Sequence, residues 1–180
     1  AILGAWADLR STPAGRAHGA EIERWLAELV AIQDVPTGSV KSRSKGEAES
    51  NHNNHALLRA TVEAQWATLV GRPELAERAA RVARATIDEM RSDGSLPRET
   101  VRGVRALWYQ RHALASLVYL GELLRPAGHD LWRRRSDGED LHHAIEFLLQ
   151  AIEAPERLSP YVGVSDARRQ DLAFLKPRGN

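Results

Sequence analysis

The sequence has 180 residues, 43% apolar and 27% charged, which is enough to bury the core of one compact domain. Its 25 basic and 24 acidic residues nearly cancel, so the overall charge gives no support for nucleic-acid binding. There is no cysteine, which excludes disulfides, thiolate nucleophiles and cysteine-ligated metal sites.

The sequence shows neither a membrane-spanning segment nor a targeting segment. No apolar run approaches the ~20 residues that a membrane-spanning helix needs, and no signal peptide is visible. The chain starts without methionine, at "AILGAW", in the middle of an apolar pattern. We interpret it as a processed or trimmed chain, so export from the cytoplasm stays compatible with the sequence.

Apolar residues at helical spacing predict the first long helix at about 20–32, in "AEIERWLAELVAI". There Ile22, Trp25, Leu26, Leu29 and Val30 follow the period of a buried stripe. Four further helices are predicted at about 54–70, 73–90, 104–124 and 141–152. Strand signals are nearly absent. The sequence therefore predicts an all-α fold built of antiparallel helix hairpins.

Two segments lack this periodicity. Residues 33–50 are rich in Ser, Gly, Lys and Glu, which predicts a flexible loop; the alternative is a mobile basic flap over a site. Residues 160–180 are predicted to form an irregular tail. The length suits one compact domain or part of a larger one, and we expect residues 1–180 to form a single helical domain.

Five polar residues, "NHNNH", precede the second long helix and exceed what one helix cap requires. Either Asn51 or Asn53 is expected to be the cap. The other asparagine side chains and the imidazoles would then surround a helix N-terminus, where free N–H groups and the helix dipole favour an anion. His52 and His55 also have the spacing of two metal ligands, but no third ligand follows at a regular interval, so we expect no metal.

A polar stripe marks the fourth long helix. Arg102, Arg105, Tyr109 and His112 are spaced by 3, 4 and 3 residues, which places them within about 80° on a helix. A solvated face with a snorkelling tyrosine is one interpretation. The other is a site, because no acidic residue is interleaved to pair with the arginines and their charges would stabilise a phenolate, which can act as a general base.

The two polar segments together suit a carboxylate ligand. Removing a proton next to a carboxylate moves negative charge onto that group, so the reaction needs donors around the carboxylate and a base near the carbon. Asparagine, histidine, arginine and tyrosine supply both functions. Trp108 lies beside Tyr109 and is either a core residue or a platform for a sugar ring.

The motifs "NNHALL" and "DGSLPRETVRGVRALWYQRHAL", in this order, resemble the alginate lyases of polysaccharide lyase family 5. "GHDLWRRRSDGEDLHHAIEFLL" resembles the segment that follows in the same family, so the resemblance runs from residue 51 to about residue 149. It implies an (α/α) toroid, here partial or abbreviated. It also implies β-elimination of a 1,4-linked polyuronate, with no metal or organic cofactor, no nucleic-acid or membrane partner, and a periplasmic or secreted location.

The resemblance also implies roles for individual residues. Asn54, His55 and Arg102 would neutralise the substrate carboxylate, and Tyr109 would move the protons, with His55 as the base for the epimeric sugar. The remaining polar and aromatic positions of the two motifs are candidate substrate ligands: Asn51, His52, Arg105, Trp108 and His112.

The sequence also departs from the family pattern. Family members are commonly much longer, and the first half that supplies a lysine and a lid loop has no match. Ala56 and Leu57 replace frequent aromatics, and Gln110 stands where a histidine is frequent. Three functions therefore remain open: a lyase for alginate, a lyase for another polyuronate such as glucuronan, and a non-catalytic module that binds anionic polysaccharide.

Overall fold

The computed structural model describes residues 2–32, 53–133 and 140–175, and every regular element in these ranges is helical. The predicted loop 33–50 and the candidate ligands Asn51 and His52 lie outside the described residues. We number the helices α1 (Ile2–Leu9), α2 (Pro13–Ile32), α3 (Asn54–Val70), α4 (Pro73–Asp88), α5 (Pro97–Thr100), α6 (Ala106–Leu124), α7 (Leu141–Glu153), α8 (Ser159–Val162) and α9 (Val164–Arg168). The predicted all-α class is confirmed. Within these ranges no helix is both long enough and apolar enough to cross a membrane.

The hairpin of α3 and α4 forms the centre of the described structure. Gly71 ends α3 in the left-handed conformation, at φ 69°, and Pro73 begins α4 two residues later. Small side chains let the two helices approach closely. The buried alanines in this cluster are Ala60, Ala64, Ala67, Ala76, Ala79, Ala80 and Ala83. Helix α6 packs against both helices and adds Leu114, Leu117, Leu120 and Leu124 to the core.

Helix α2 begins seven residues earlier than predicted, and only part of its expected stripe is buried. Leu26 and Val30 are 2% and 9% exposed, and they pack in a cluster with residues of α1 and α3. Trp25 and Leu29, in contrast, are 49% and 36% exposed. The prediction of burial was wrong for these two residues because the described part of the chain covers only one side of the apolar face of α2.

The segment 160–175 is more regular than the predicted irregular tail. It contains most of α8, all of α9 and a 3-10 turn at Ala173–Leu175. Leu158 and Ala167 are fully buried beside Leu107 and Phe147, so the segment packs on the start of α6 and on the second half of α7. Gln170 accepts the Leu107 N–H (N···O 2.9 Å) and thereby pairs one of the free donors at the start of α6.

The turn at 91–97 is held by a side chain from α6. Gln110 is fully buried; its Oε1 accepts the Leu96 N–H at 2.9 Å, and its Nε2 donates to the Gly94 carbonyl at 3.3 Å. Gly94 has φ 86°, and a Cβ there would lie 2.0 Å from the His143 carbonyl oxygen. The conformation and the close approach to α7 therefore both require glycine at this position.

We predict that Gln110→Leu lowers the free energy of unfolding, because it leaves a buried N–H and a buried carbonyl unpaired at about 1–3 kcal/mol each. Urea unfolding followed by circular dichroism measures the loss. The matched control is Gln150→Leu, since Gln150 is exposed on α7. Equal stability of the Gln110→Leu and Gln150→Leu proteins would contradict the role given to Gln110.

Candidate functional site

The first turn of α3 presents part of the "NHNNH" motif. Asn53 is the cap, with its Oδ1 accepting the His55 N–H at 3.0 Å. Asn53 and Asn54 are 6% and 3% exposed, whereas His55 is exposed to solvent. The motif therefore divides into a buried asparagine pair and a histidine that is accessible to a ligand.

Glu99, from the short helix α5, contacts this turn. Its Oε1 accepts the Asn54 backbone N–H at 2.7 Å, and the side chain is 3% exposed. The hydrogen bond joins the two halves of the sequence motif across 45 residues. Sequence analysis placed Glu99 in the motif without giving it a role. The signal was its position as the single acidic residue in the otherwise basic stretch "PRETVRGVR".

The environment of the Glu99 carboxyl group favours its neutral form. Burial raises the pKa of Glu99 above its usual value, and the opposing effects of the Asn54 N–H, Arg102 and Arg98 do not cancel this increase. Two oxygens, Glu99 Oε2 and Asn54 Oδ1, are buried and have no hydrogen-bond partner within the described ranges. Such atoms are rare in native proteins, because an unpaired buried polar group is costly.

Arg102 and Tyr109 form the second half of the site. The Arg102 guanidinium carbon lies 4.7 Å from the centroid of the Tyr109 ring, within cation–π range. Arg102 also acts electrostatically on Glu99. Asn54, Glu99, Arg102 and Tyr109 are therefore linked in one series of interactions.

A cavity of about 500 Å³ opens beside this series. Its lining residues are Asn53, Glu89, Pro97, Arg98, Val101 and Arg102. Arg98 donates two hydrogen bonds of 2.7 Å to Glu89, which neutralises that pair of charges. Arg102 also lines the cavity, whereas its ring partner Tyr109 is not among the lining residues.

Trp108 and His112 form an aromatic cluster on α6. Their ring centroids are 4.8 Å apart, and Phe174 packs edge-on against Trp108 at 5.9 Å. His112 also borders a second cavity, of about 400 Å³, between α3 and α6. Burial, assisted by Arg111, lowers the pKa of His112 below its usual value, so its ring is neutral at neutral pH.

The predicted four-residue stripe is thus only partly assembled. Arg102 and Tyr109 are in contact, His112 packs on Trp108, and Arg105 is exposed in the 3-10 turn before α6. Across the described ranges, no group of three or more His, Asp or Glu side chains has an arrangement that could hold a metal ion.

Sequence analysis missed two glutamines that position the site. Gln110 fixes the turn before α5, and Gln170 donates to the Gly103 and Asp166 carbonyls at 2.9 and 2.8 Å. These bonds hold the short connection that carries Arg102. No local pattern identifies such residues, although an uncharged polar residue in an apolar helix interior, as at Gln110, is a useful signal.

Comparison with known proteins identifies the family. The sequence model of the alginate lyase family matches residues 3–158. A polysaccharide lyase of Stenotrophomonas maltophilia (strain K279a) is 44% identical over 66 residues, which cover 37% of this chain and 18% of that protein.

Two solved structures share the fold. One is alginate lyase A1-III, known from Sphingomonas species A1, solved as a histidine-to-alanine variant complexed with a tetrasaccharide. It has a TM-score of 0.75 and 22% sequence identity, and the match covers 96% of this chain and 44% of that protein. An alginate lyase from Bacteroides ovatus has a TM-score of 0.66 and 21% identity, over 91% and 42%. These likenesses confirm the predicted helical toroid class, and the chain spans less than half the length of each relative. With the family model matching most of its residues, the chain belongs to the alginate lyase family.

Proposed function

We propose that this chain carries the reaction centre of a polysaccharide lyase that cleaves a 1,4-linked polyuronate by β-elimination, with alginate as the first candidate. The observation that carries the proposal is the linked series of Asn54, Glu99, Arg102 and Tyr109 in a member of the alginate lyase family. This series combines donors for a carboxylate with a group that can transfer protons.

Asn54, His55 and Arg102 would bind the carboxylate of one uronate, the sugar that loses its C5 proton and whose C4–O bond is cleaved. When the proton on C5 is removed, negative charge develops on that carboxylate. A guanidinium, an amide N–H and an imidazole directed at it stabilise the charge more in the transition state than in the ground state. The positive end of the α3 dipole, at the start of the helix, also stabilises this negative charge.

Tyr109 would transfer the protons. As the phenolate, it takes the C5 proton. The C5 electron pair forms the C4=C5 double bond, the C4–O bond breaks, and the new phenol gives its proton to the departing bridging oxygen. The products are a free hydroxyl on one fragment and a 4,5-unsaturated uronate on the other. His55, exposed beside Asn54, would be the base for the epimeric sugar.

The remaining candidates would hold neighbouring sugars. Arg105 is exposed near the site, and the cluster of Trp108 and His112 borders the second cavity. Asn51 and His52 directly precede the cap and keep their proposed role as ligands. Since polyuronates are extracellular polymers, the proposal implies a periplasmic or secreted protein.

We predict that incubation with poly-mannuronate, poly-guluronate or glucuronan produces the ultraviolet absorbance of a conjugated, unsaturated uronate. A rise with an alginate polymer supports the first candidate substrate. A rise with glucuronan alone would assign the enzyme to another polyuronate. Binding of these polymers without any rise would replace the lyase by a non-catalytic polysaccharide-binding module.

We predict that Tyr109→Phe lowers kcat by about 10²–10⁴-fold, because it removes the proton-transfer group. Polymer affinity should change little, since only one oxygen is lost. The matched control is Tyr119→Phe, which should keep kcat. Tyr119 is exposed on the same helix, accepts a hydrogen bond from Gln65 and borders the second cavity, where a loss should act on affinity rather than on turnover. Full activity of Tyr109→Phe in the ultraviolet assay would refute the mechanism.

We predict that Arg102→Ala lowers kcat by about 10²-fold or more and also weakens polymer binding, because the guanidinium contacts both the substrate carboxylate and the Tyr109 ring. Arg81→Ala is the control, since Arg81 is exposed on α4 in an ion pair with Glu77. Initial rates over a range of polymer concentrations separate kcat from KM. An effect on KM alone would make Arg102 a binding residue without a part in the chemical step.

A further inference from the structure

We infer that Glu99 is a positioning residue that keeps its proton at neutral pH, and that its O–H donates to the carboxamide oxygen of Asn54. This bond would hold the Asn54 Nδ2 toward the cleft, which is the cavity of about 500 Å³ lined by Asn53 and Arg102. There the amide can donate to an anion. The identity of that anion as a uronate carboxylate rests on the proposed function, whereas the protonation of Glu99 does not.

The geometry places the Glu99 carboxyl group against the backbone of Asn54. The Asn54 backbone N–H donates to Glu99 Oε1 at 2.7 Å, so the carboxyl group lies against the first residue of α3. Both side chains are 3% exposed. Solvent is therefore largely excluded from the Glu99 carboxyl and the Asn54 carboxamide.

One buried oxygen on each of the two side chains has no hydrogen-bond donor. Glu99 Oε2 and Asn54 Oδ1 are both buried, and no donor within the described ranges reaches either oxygen. A carboxylate has no proton to donate, and an amide oxygen only accepts. A single proton on Glu99 Oε2 supplies a donor to the Asn54 oxygen and removes the charge from a buried carboxylate.

The charged groups around Glu99 have opposing effects on its pKa. Burial favours the neutral acid and outweighs Arg102 and Arg98, which favour the carboxylate. Arg98 is engaged by Glu89 through two hydrogen bonds, and Arg102 lies over the Tyr109 ring. On α3 the adjacent titratable side chain is His55, which is exposed. The pKa of Glu99 is accordingly raised.

The proton also determines how Asn54 faces a substrate. With Glu99 neutral, the Asn54 oxygen accepts from the acid and the amide NH₂ is free to donate toward the cleft. With Glu99 ionised, the amide gains by rotating its NH₂ to the carboxylate, which turns its oxygen toward the cleft. An amide oxygen there would repel a bound carboxylate, so ionisation of Glu99 weakens anion binding.

Glu99→Gln tests the inference, because a glutamine amide can accept the Asn54 N–H and donate to the Asn54 oxygen without titrating. The control is Glu122→Gln, since Glu122 is exposed on α6. At pH 7, infrared spectra of the wild-type protein and the control should show a protonated carboxyl band that Glu99→Gln lacks. Absence of that band from the wild-type spectrum, or its persistence in Glu99→Gln, overturns the inference.

The pH dependence of unfolding gives a second readout. In the unfolded chain Glu99 titrates near ~4.3, whereas in the folded protein it keeps its proton to higher pH. Unfolding by urea should therefore show the wild-type protein losing stability relative to Glu99→Gln as pH rises from about 4.3 through the folded pKa. Glu122→Gln should show no such divergence. A Glu99→Gln protein that fails to fold contradicts the inference, because the substitution preserves both hydrogen bonds.

Lyase kinetics separate this inference from the proposed function. If the wild-type protein cleaves a polyuronate, the ratio of kcat/KM in Glu99→Gln to that in wild type should be near one at low pH and should rise with pH. A ratio that is constant with pH overturns the positioning role. Absence of cleavage in every protein, together with the infrared band, refutes the lyase proposal and leaves the proton on Glu99 established.

Discussion

The hydrogen bond from the Asn54 N–H to Glu99 is the interaction on which the arrangement of the site depends. Asn54 begins a long helix of the core, whereas Glu99 belongs to a four-residue helix that could not hold its position alone. The bond places the short helix against the start of α3. Arg102 follows one turn later, and through Arg102 the contact extends to Tyr109 on α6. One buried bond therefore brings together motif halves that lie 45 residues apart.

The backbone that carries Glu99 and Arg102 is supported from outside. It consists of a turn, one helical turn and a 3-10 turn, each closed by short-range backbone hydrogen bonds. Gln110 holds the turn before α5, and Gln170 holds the 3-10 turn before α6. The site thus sits on an irregular connection whose position is fixed by two buried or half-buried amides, while the long helices supply the rigid frame.

Much of the fold could be predicted from the sequence because the apolar residues of long helices recur at a regular helical spacing. The contact of Arg102 with Tyr109 likewise follows from a spacing of seven residues across the start of a helix. The packing of His112 on Trp108 could not be predicted, since Trp108 also contacts Phe174, which comes from the packed tail. Glu99 lies within the quoted motif and Gln110 departs from the family pattern, but neither was predicted to be a structural support, because their partners are backbone groups.

The proposed function makes two separate demands on the site: proton transfer next to a neutralised carboxylate, which is local, and polymer binding, which is extended. Neutralising a carboxylate and moving one proton require groups within a few Å, and the residues proposed for these tasks lie between Asn54 and Tyr109. Holding a polymer requires contacts along several sugars, and the surfaces proposed for them include the cavity beside His112. Since interactions made only in the transition state raise kcat whereas uniform contacts lower KM, changes to the local series should act on turnover. Changes along the polymer path should act on affinity, which makes the two parts of the site separable by experiment.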